Sequence, residues 1–220
     1  MSGGLTWLGR ATLFVALALL AAPLGFALVA SLTPEERLFE GGFSSGAWTF
    51  EHYRALFSEL DLWSAIKSSL AVAGATTLLS VSVGSLCAYA LARWRFRGRS
   101  IILAFVLAVS MFPQISIVPP LYLVLRALGL IDTYPGLVFP YLTFAMPLAI
   151  WLLLGFFRQL PSELEEAARV DGASRLRVLL EVVAPIAAPA LATTAVLTFI
   201  YAWNEFLFAL SFTLENETVP

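Results

Sequence analysis

Charged residues are scarce in this 220-residue chain, at 13% of the sequence, while 60% of the residues are hydrophobic. An ordinary soluble domain has about 25% charged and roughly 45–50% apolar residues. The charged residues are also clustered, because five long stretches of the chain lack Asp, Glu, Lys, Arg and His. These stretches are Ala11–Pro34, Ser68–Ala92, Ser100–Leu125, Thr133–Phe157 and Val182–Asn204. A transmembrane helix needs about 20 such residues, so the pattern excludes a soluble domain with buried helices and predicts an all-α, polytopic membrane protein.

The stretches predict five transmembrane helices within a single domain over 1–220. The expected spans are about 11–33, 68–92, 101–125, 134–157 and 185–208. Their interiors are rich in Leu, Ala and Phe and do not alternate in polarity, which excludes the strands of an outer-membrane barrel. The first stretch follows Arg10 and also resembles a signal peptide, but its length favours a retained span.

Cysteine and histidine are almost absent, and this excludes several kinds of site. Cys87 is the only cysteine, so no intramolecular disulfide forms, and His52, the only histidine, has no second ligand beside it. The chain contains no Gly-x-x-x-x-Gly-Lys-Ser/Thr motif for ATP. We therefore expect no bound metal or cofactor and no catalysis by this chain. The uncharged span interiors also argue against a transporter driven by an ion gradient.

The positions of the arginines predict the orientation. Most of the 13 Lys and Arg residues lie at the N-terminus and in two of the connections between spans. They are Arg10, then Arg93, Arg95, Arg97 and Arg99, and then Arg158, Arg169, Arg175 and Arg177. The positive-inside rule places these segments in the cytoplasm, with residues 34–67 as an external loop. Within that loop, Phe50–Phe57 is expected to form a short amphipathic helix.

The cytoplasmic connection 158–184 is unusually well specified for a loop. Ser162 and Glu165 fit a capping box, with Ser162 as the N-cap and Glu165 at the third helical position. Gly172 follows at a C′ position, where glycine enters the left-handed region without penalty. We therefore expect a short acidic helix over Glu163–Asp171.

A second helix is expected to begin at Ser174 and to run into the fifth span at Pro185. Its expected apolar stripe consists of Leu176, Leu179, Leu180 and Val183. On the first helix, Leu164, Ala167 and Ala168 share a face that would allow another surface to approach closely. The residues alone leave two interpretations open: a turn between spans, or a docking surface for a partner.

Two polar groups of residues lie within or at the ends of the spans. Trp203, Asn204 and Glu205 lie near the outer end of the fifth span, where a carboxylate is either solvated at headgroup level or functional. Gln114 and Ser116 lie in a proline-rich part of the third span. The prolines either only kink that helix or help these side chains to line a translocation path.

Several of these motifs resemble one family. Glu166-Ala167-Ala168, with Asp171-Gly172-Ala173 and Pro185 at the matching distance, is similar to the EAA loop of permease subunits in binding-protein-dependent ABC importers. Ala184 departs mildly from it, since the family usually has leucine there. The segments around Trp203–Phe206, Met111–Pro120 and Leu128–Thr133 resemble carbohydrate permeases of the maltose and trehalose type.

The resemblance implies a function and a set of partners. The EAA loop, from Glu163 through Glu166 to Gly172, would be the coupling helix that inserts into a cytoplasmic ATPase. The chain would lie in the bacterial inner membrane and import a sugar together with a second permease subunit, two ATPase subunits and an external sugar-binding protein. ATP and magnesium would bind to the ATPase, and no nucleic acid is implied. Family members continue into a further C-terminal span, which this sequence does not contain.

Overall fold

The structure is a computed structural model that describes residues 7–35, 48–58 and 61–213. Throughout this described part the regular elements are helices. The chain divides into two compact units, residues 1–63 and 64–220. Of the predicted external loop 34–67, residues 36–47 and 59–60 lie outside the described residues, as do residues 214–220.

The first unit contains α1, Trp7–Ser31, and α2, Glu51–Ser58. α1 is apolar and its side chains are exposed, as suits a helix surrounded by lipid. The chain then folds back, since the ring Nε2 of His52 lies 2.9 Å from the Thr33 carbonyl oxygen and the Tyr53 hydroxyl lies 2.7 Å from Ser31 Oγ. The predicted amphipathic helix is therefore present, and its histidine contacts a backbone carbonyl.

The second unit is built from longer helices. They are α3 (Leu62–Arg93, whose first two residues belong to the first unit), α4 (Arg99–Met111), α5 (Gln114–Ala127), α6 (Tyr134–Gln159), α7 (Glu163–Val170), α8 (Arg175–Ile186), α9 (Ala188–Trp203) and α10 (Leu207–Phe212). α6 is the most buried of the long helices. Its N-terminus is capped by Thr133, whose hydroxyl accepts a hydrogen bond from the Gly136 amide at 3.2 Å. α3 approaches it closely at Gly84, where a Cβ atom would lie 3.2 Å from the Ala149 Cβ.

Two hydrophobic clusters pack against α6, one towards each end. The first cluster comprises Ala88, Tyr89, Leu91, Val106, Ile150, Leu153, Leu154, Phe157, Val178, Leu179, Val183 and Ala187. The second cluster comprises Val72, Ala73, Leu125, Leu137, Val138, Tyr141, Phe144, Ala202, Phe208 and Phe212. The first cluster therefore packs residues of the connection 158–184 against α3 and α6, and the second packs the end of α9 and α10 against them.

The first, second and fourth predicted spans each fall on one long helix, but the third and fifth do not. α4 and α5 meet at an angle of 97° at Phe112 and Pro113, a break far sharper than a proline kink. Phe112 is extended and Pro113 has no amide hydrogen, so the helix ends there. α8 and α9 are likewise bent by 81°, and α9 ends at Trp203 instead of continuing to residue 208. The described residues thus contain three helices long and apolar enough to span a membrane, or up to five if each bent pair is one span.

Candidate functional site

The short helix predicted within the connection 158–184 is present as α7, and a glycine follows its C-terminal end. Gly172 has φ of +87°, and nothing lies within 4 Å of the position a Cβ would take, so the backbone conformation alone requires glycine. The Ala173 amide donates to the Ala168 carbonyl and the Gly172 amide to the Arg169 carbonyl, each at 3.0 Å. These two bonds form a Schellman motif, which confirms Gly172 at C′.

The predicted capping box at the start of α7 is wrong. Ser162 is the N-cap residue, but its backbone is helical and its side chain makes no capping hydrogen bond. Glu165 turns away from the N-terminus and is buried, with 6% exposure. Its carboxylate accepts hydrogen bonds from Arg93 Nε at 2.6 Å and from the Tyr89 hydroxyl at 2.8 Å. A charged donor makes a stronger bond than the backbone amide that a capping box would offer.

Arg93 joins three helices at this point. It lies in the last turn of α3, pairs with Glu165 of α7, and donates from Nη2 to the Leu160 carbonyl after α6 at 2.9 Å. In the sequence, Arg93 indicates only the orientation of the chain. No local signal connects Arg93 to Glu165, because the two residues are 72 positions apart.

α7 has one attached face and one free face. Ala168 and Ala173 are half-buried and pack against the first cluster. Four exposed residues in the helical pattern i, i+3, i+4, i+7 form a free stripe on the other face: Glu163, Glu166, Ala167 and Val170. Val170, which sequence reasoning did not single out, is 88% exposed, and Asp171 is exposed beside it. The free stripe is thus an acidic rim around a small apolar surface.

α8 packs against α7, but its buried face differs from the predicted stripe. Ser174 caps it, since its Oγ accepts a bond from the Arg177 amide at 3.3 Å. Residues Val178–Val183 form a π-helical stretch, so Val178, Leu179 and Val183 are buried. The predicted apolar stripe is therefore only partly buried, since Leu176 and Leu180 are 57% and 59% exposed. Pro185 lies in the exposed last turn of α8 and not on α7.

A second candidate region lies at the break after α9. A cleft of about 520 Å³ is lined by polar residues Gln114, Tyr201, Asn204 and Glu205, together with three apolar ones. Gln114 Nε2 donates to the Tyr201 hydroxyl, which joins the start of α5 to α9. The cleft therefore brings together Gln114, Asn204 and Glu205 from the predicted set. Ser116 and Trp203 are not among its lining residues, and Trp203 stacks on Phe199 with ring centroids 5.6 Å apart.

Glu205 is half-buried and has a structural role that the sequence did not reveal. Its two carboxylate oxygens accept the Phe208 amide at 3.1 and 3.2 Å, so it caps the first turn of α10. The Tyr141 hydroxyl donates to its backbone carbonyl at 3.2 Å. Asn204 is exposed, and its Nδ2 donates to the Ile200 carbonyl at 2.7 Å. Asn204 can therefore present its carbonyl oxygen to the cleft, while Glu205 also holds α10 in place.

Comparisons with known proteins agree with these features. Residues 80–219 match the family described as binding-protein-dependent transport system inner membrane component. The trehalose transport system permease protein SugB of Mycobacterium tuberculosis is 44% identical over 97% of this chain and 77% of its own length. The trehalose/maltose transport system permease protein MalG of Thermococcus litoralis is 47% identical over 78% of this chain and 63% of its own length.

A solved structure is also similar. A bacterial ABC transporter involved in the import of the acidic polysaccharide alginate superposes with a TM-score of 0.74 and 27% sequence identity, over 100% of this chain and 80% of that chain. The all-α fold and multiple apolar helices are those of a multi-pass membrane protein. The chain therefore belongs to the family of inner membrane permease components of binding-protein-dependent transport systems.

Proposed function

We propose that this chain is the permease subunit of an ATP-binding-cassette importer that carries a sugar across the bacterial cytoplasmic membrane. The names of two similar permeases, a trehalose and a trehalose/maltose transport protein, support a disaccharide of this kind as the substrate. The chain has no nucleotide-binding motif of its own. ATP and magnesium are therefore assigned to partner ATPase subunits, and this chain performs no covalent chemistry.

The observation that supports the proposal most strongly is the way α7 is held by its neighbours: one face is bound to other helices and the other face is exposed. Its free stripe is available to a partner, while its other face is attached to α3 through Arg93 and Glu165 and packs against α8. A force applied to α7 would be transmitted to α3 directly and to α9 through α8. This is the arrangement that a coupling helix requires, with Glu163, Glu166, Ala167 and Asp171 towards the ATPase and Ala168 and Ala173 towards the permease.

The cleft at Gln114, Asn204 and Glu205 is the proposed contact with the sugar. Amide and carboxylate oxygens accept hydrogen bonds from sugar hydroxyls, and amide N–H groups donate to them. Residues from α5 and from the break after α9 meet at this cleft, so relative movement of these helices would change its shape. We propose that the cleft opens alternately to the two sides of the membrane as the ATPase dimer closes and opens.

The proposed assembly contains this chain, a second permease subunit, two cytoplasmic ATPase subunits and an external sugar-binding protein. The arginine distribution supports a cytoplasmic N-terminus and places α7 on the ATPase side. Membrane lipid surrounds the exposed apolar helices.

The experiment is sugar uptake and ATP hydrolysis by the assembled transporter in vesicles. Ala167→Trp places a large side chain on the free stripe, and it should reduce trehalose or maltose uptake and disturb its coupling to ATP hydrolysis. Arg97→Trp is the matched control, because it adds the same side chain at an exposed position on the same predicted side of the membrane. Normal uptake and normal assembly in Ala167→Trp would refute the assignment of α7.

A further inference from the structure

A cavity of about 600 Å³ lies between α7, the end of α3 and the start of α8. Four arginines line it, namely Arg93, Arg95, Arg169 and Arg175, together with two carboxylates, Glu165 and Glu166. It is distinct from the free stripe of α7, with which it shares only Glu166. The excess of arginine makes it a positively charged site.

The arginines differ in whether their charge is already compensated. Arg93 and Glu165 neutralise each other in their ion pair. For Arg95, Arg169 and Arg175, no carboxylate of the described residues lies within 4.0 Å. Three guanidinium groups therefore share the cavity with one carboxylate outside the ion pair, that of Glu166, although Arg169 Nε also donates to the Glu165 backbone carbonyl at 3.3 Å. This excess of positive charge favours a ligand with a single negative charge, such as a phosphodiester.

Aromatic residues line the cavity at the end of a helix that is long enough to span the membrane. Trp94 and Phe96 follow directly after α3, a helix long enough to span the membrane, and each is 41% exposed. Both line the cavity, and the Arg175 guanidinium lies 5.1 Å from the centre of the Trp94 ring. Tryptophan is enriched where the hydrocarbon core meets the headgroups, and basic cavities on the cytoplasmic side suit anionic lipid.

Two exposed apolar residues of α8 follow the cavity-lining Arg175 in the sequence. Leu176 and Leu180 are four residues apart, exposed, and begin next to Arg175. Residues at this spacing share one helix face, so they offer a surface for an acyl chain beginning at the cavity.

We propose that this cavity binds the phosphodiester headgroup of an anionic phospholipid of the cytoplasmic leaflet. Arg95 and Arg175 contact the phosphate, and an acyl chain lies along Leu176 and Leu180. The bound lipid lies against α7, so the lipid composition of the membrane influences the position of that helix.

The test is native mass spectrometry of the assembled transporter, released from vesicles of phosphatidylcholine and phosphatidylglycerol. The double variant Arg95→Gln/Arg175→Gln should lower the retention of phosphatidylglycerol relative to phosphatidylcholine by roughly tenfold or more, since each arginine near the surface contributes to binding an anionic lipid. Arg95→Glu alone, at an exposed position, provides a second variant that leaves the contact between Arg175 and Trp94 intact. It should lower retention in the same direction.

The control variant Arg97→Gln/Arg158→Gln removes the same charge from exposed positions that do not line the cavity. Its retention of phosphatidylglycerol should be nearly that of the unmodified protein. Equal losses in both double variants, or no loss in either, would overturn the proposal. Displacement of the lipid by millimolar inorganic phosphate would instead assign the cavity to a free anion, and the absence of retained lipid in every form would also overturn the proposal. Lipid retention is measured without sugar or ATP, so this result does not depend on the proposed transport function.

Discussion

Arg93 Nε and the Glu165 carboxylate lie 2.6 Å apart, although the two residues are separated by 72 positions in the chain. Their side chains are 15% and 8% exposed. Glu165 is the residue of α7 that reaches inward, and Arg93 is the last residue of α3. The pair therefore attaches the candidate coupling helix to the end of α3.

Breaking this pair should destabilise the permease. Glu165→Gln leaves the mostly buried Arg93 guanidinium without a counter-charge, and the removal of one partner of a buried pair costs about 3 kcal/mol. Arg93→Met/Glu165→Met should lose less stability than the two single substitutions together, because it leaves no uncompensated charge. Thermal unfolding in detergent measures both effects.

The control is the pair formed by Arg177 and Glu181, whose distance of 2.8 Å is nearly the same. These side chains are 64% and 60% exposed, so Arg177→Met should change stability by at most about 0.5 kcal/mol. A similar loss for Arg177→Met and Glu165→Gln would contradict the structural role assigned to the buried pair.

Gly172→Ala should destabilise the end of α7 by about 1 kcal/mol, because its φ of +87° strains any residue that has a Cβ. Gly172→Asn should cost less, since asparagine tolerates this conformation better. Gly155→Ala is the matched control. It also meets nothing within 4 Å, but its φ is outside the left-handed region, so alanine there should be neutral or slightly stabilising. Equal melting temperatures for the two alanine variants would contradict the assignment of Gly172 as the C′ residue.

Substitutions of Asn204 and Glu205 should show which of these side chains affects sugar transport and which affects the stability of the protein. Glu205→Ala removes the acceptor of the Phe208 amide and should cost about 1–2 kcal/mol, as the loss of a helix cap does. Glu205→Gln retains an acceptor and should preserve most of the stability. Asn204→Ala changes only an exposed side chain and should change the free energy of unfolding by at most about 0.5 kcal/mol.

Uptake provides the second measurement for these variants. If the cleft contacts the sugar, both Asn204→Ala and Glu205→Gln should lower uptake at low sugar concentration despite normal stability. Unchanged uptake kinetics in both variants would remove the cleft from the translocation path.

The features that sequence predicted well are local. The start of α8 at Ser174 and the end of α7 at Gly172 follow from capping and turn chemistry within a few residues. The long apolar helices follow from the absence of charge over about 20 residues. The single face predicted for Leu164, Ala167 and Ala168 is wrong, because Ala167 is exposed whereas Ala168 is half-buried and packs against the first cluster.

Features that depend on distant partners could not be predicted. The capping box predicted at Ser162 does not form, because the Glu165 carboxylate instead binds Arg93 and Tyr89. No local sequence pattern connects these two residues to Glu165. The contact of Gln114 with Tyr201 spans 87 positions. The π-helical stretch in α8 shifts its buried face by less than one turn, and a period of 3.6 residues cannot reveal such a shift.

The most direct test of the central claim is cross-linking from α7 to the ATPase in the assembled transporter. Ala167→Cys and Val170→Cys, each in a Cys87→Ala background, place a thiol on the free stripe. Ala168→Cys is the control, because this neighbouring alanine is half-buried against the first cluster. We expect cross-links to the ATPase from positions 167 and 170 and few or none from 168. An assembled, sugar-transporting complex with no cross-link from either exposed position would contradict it.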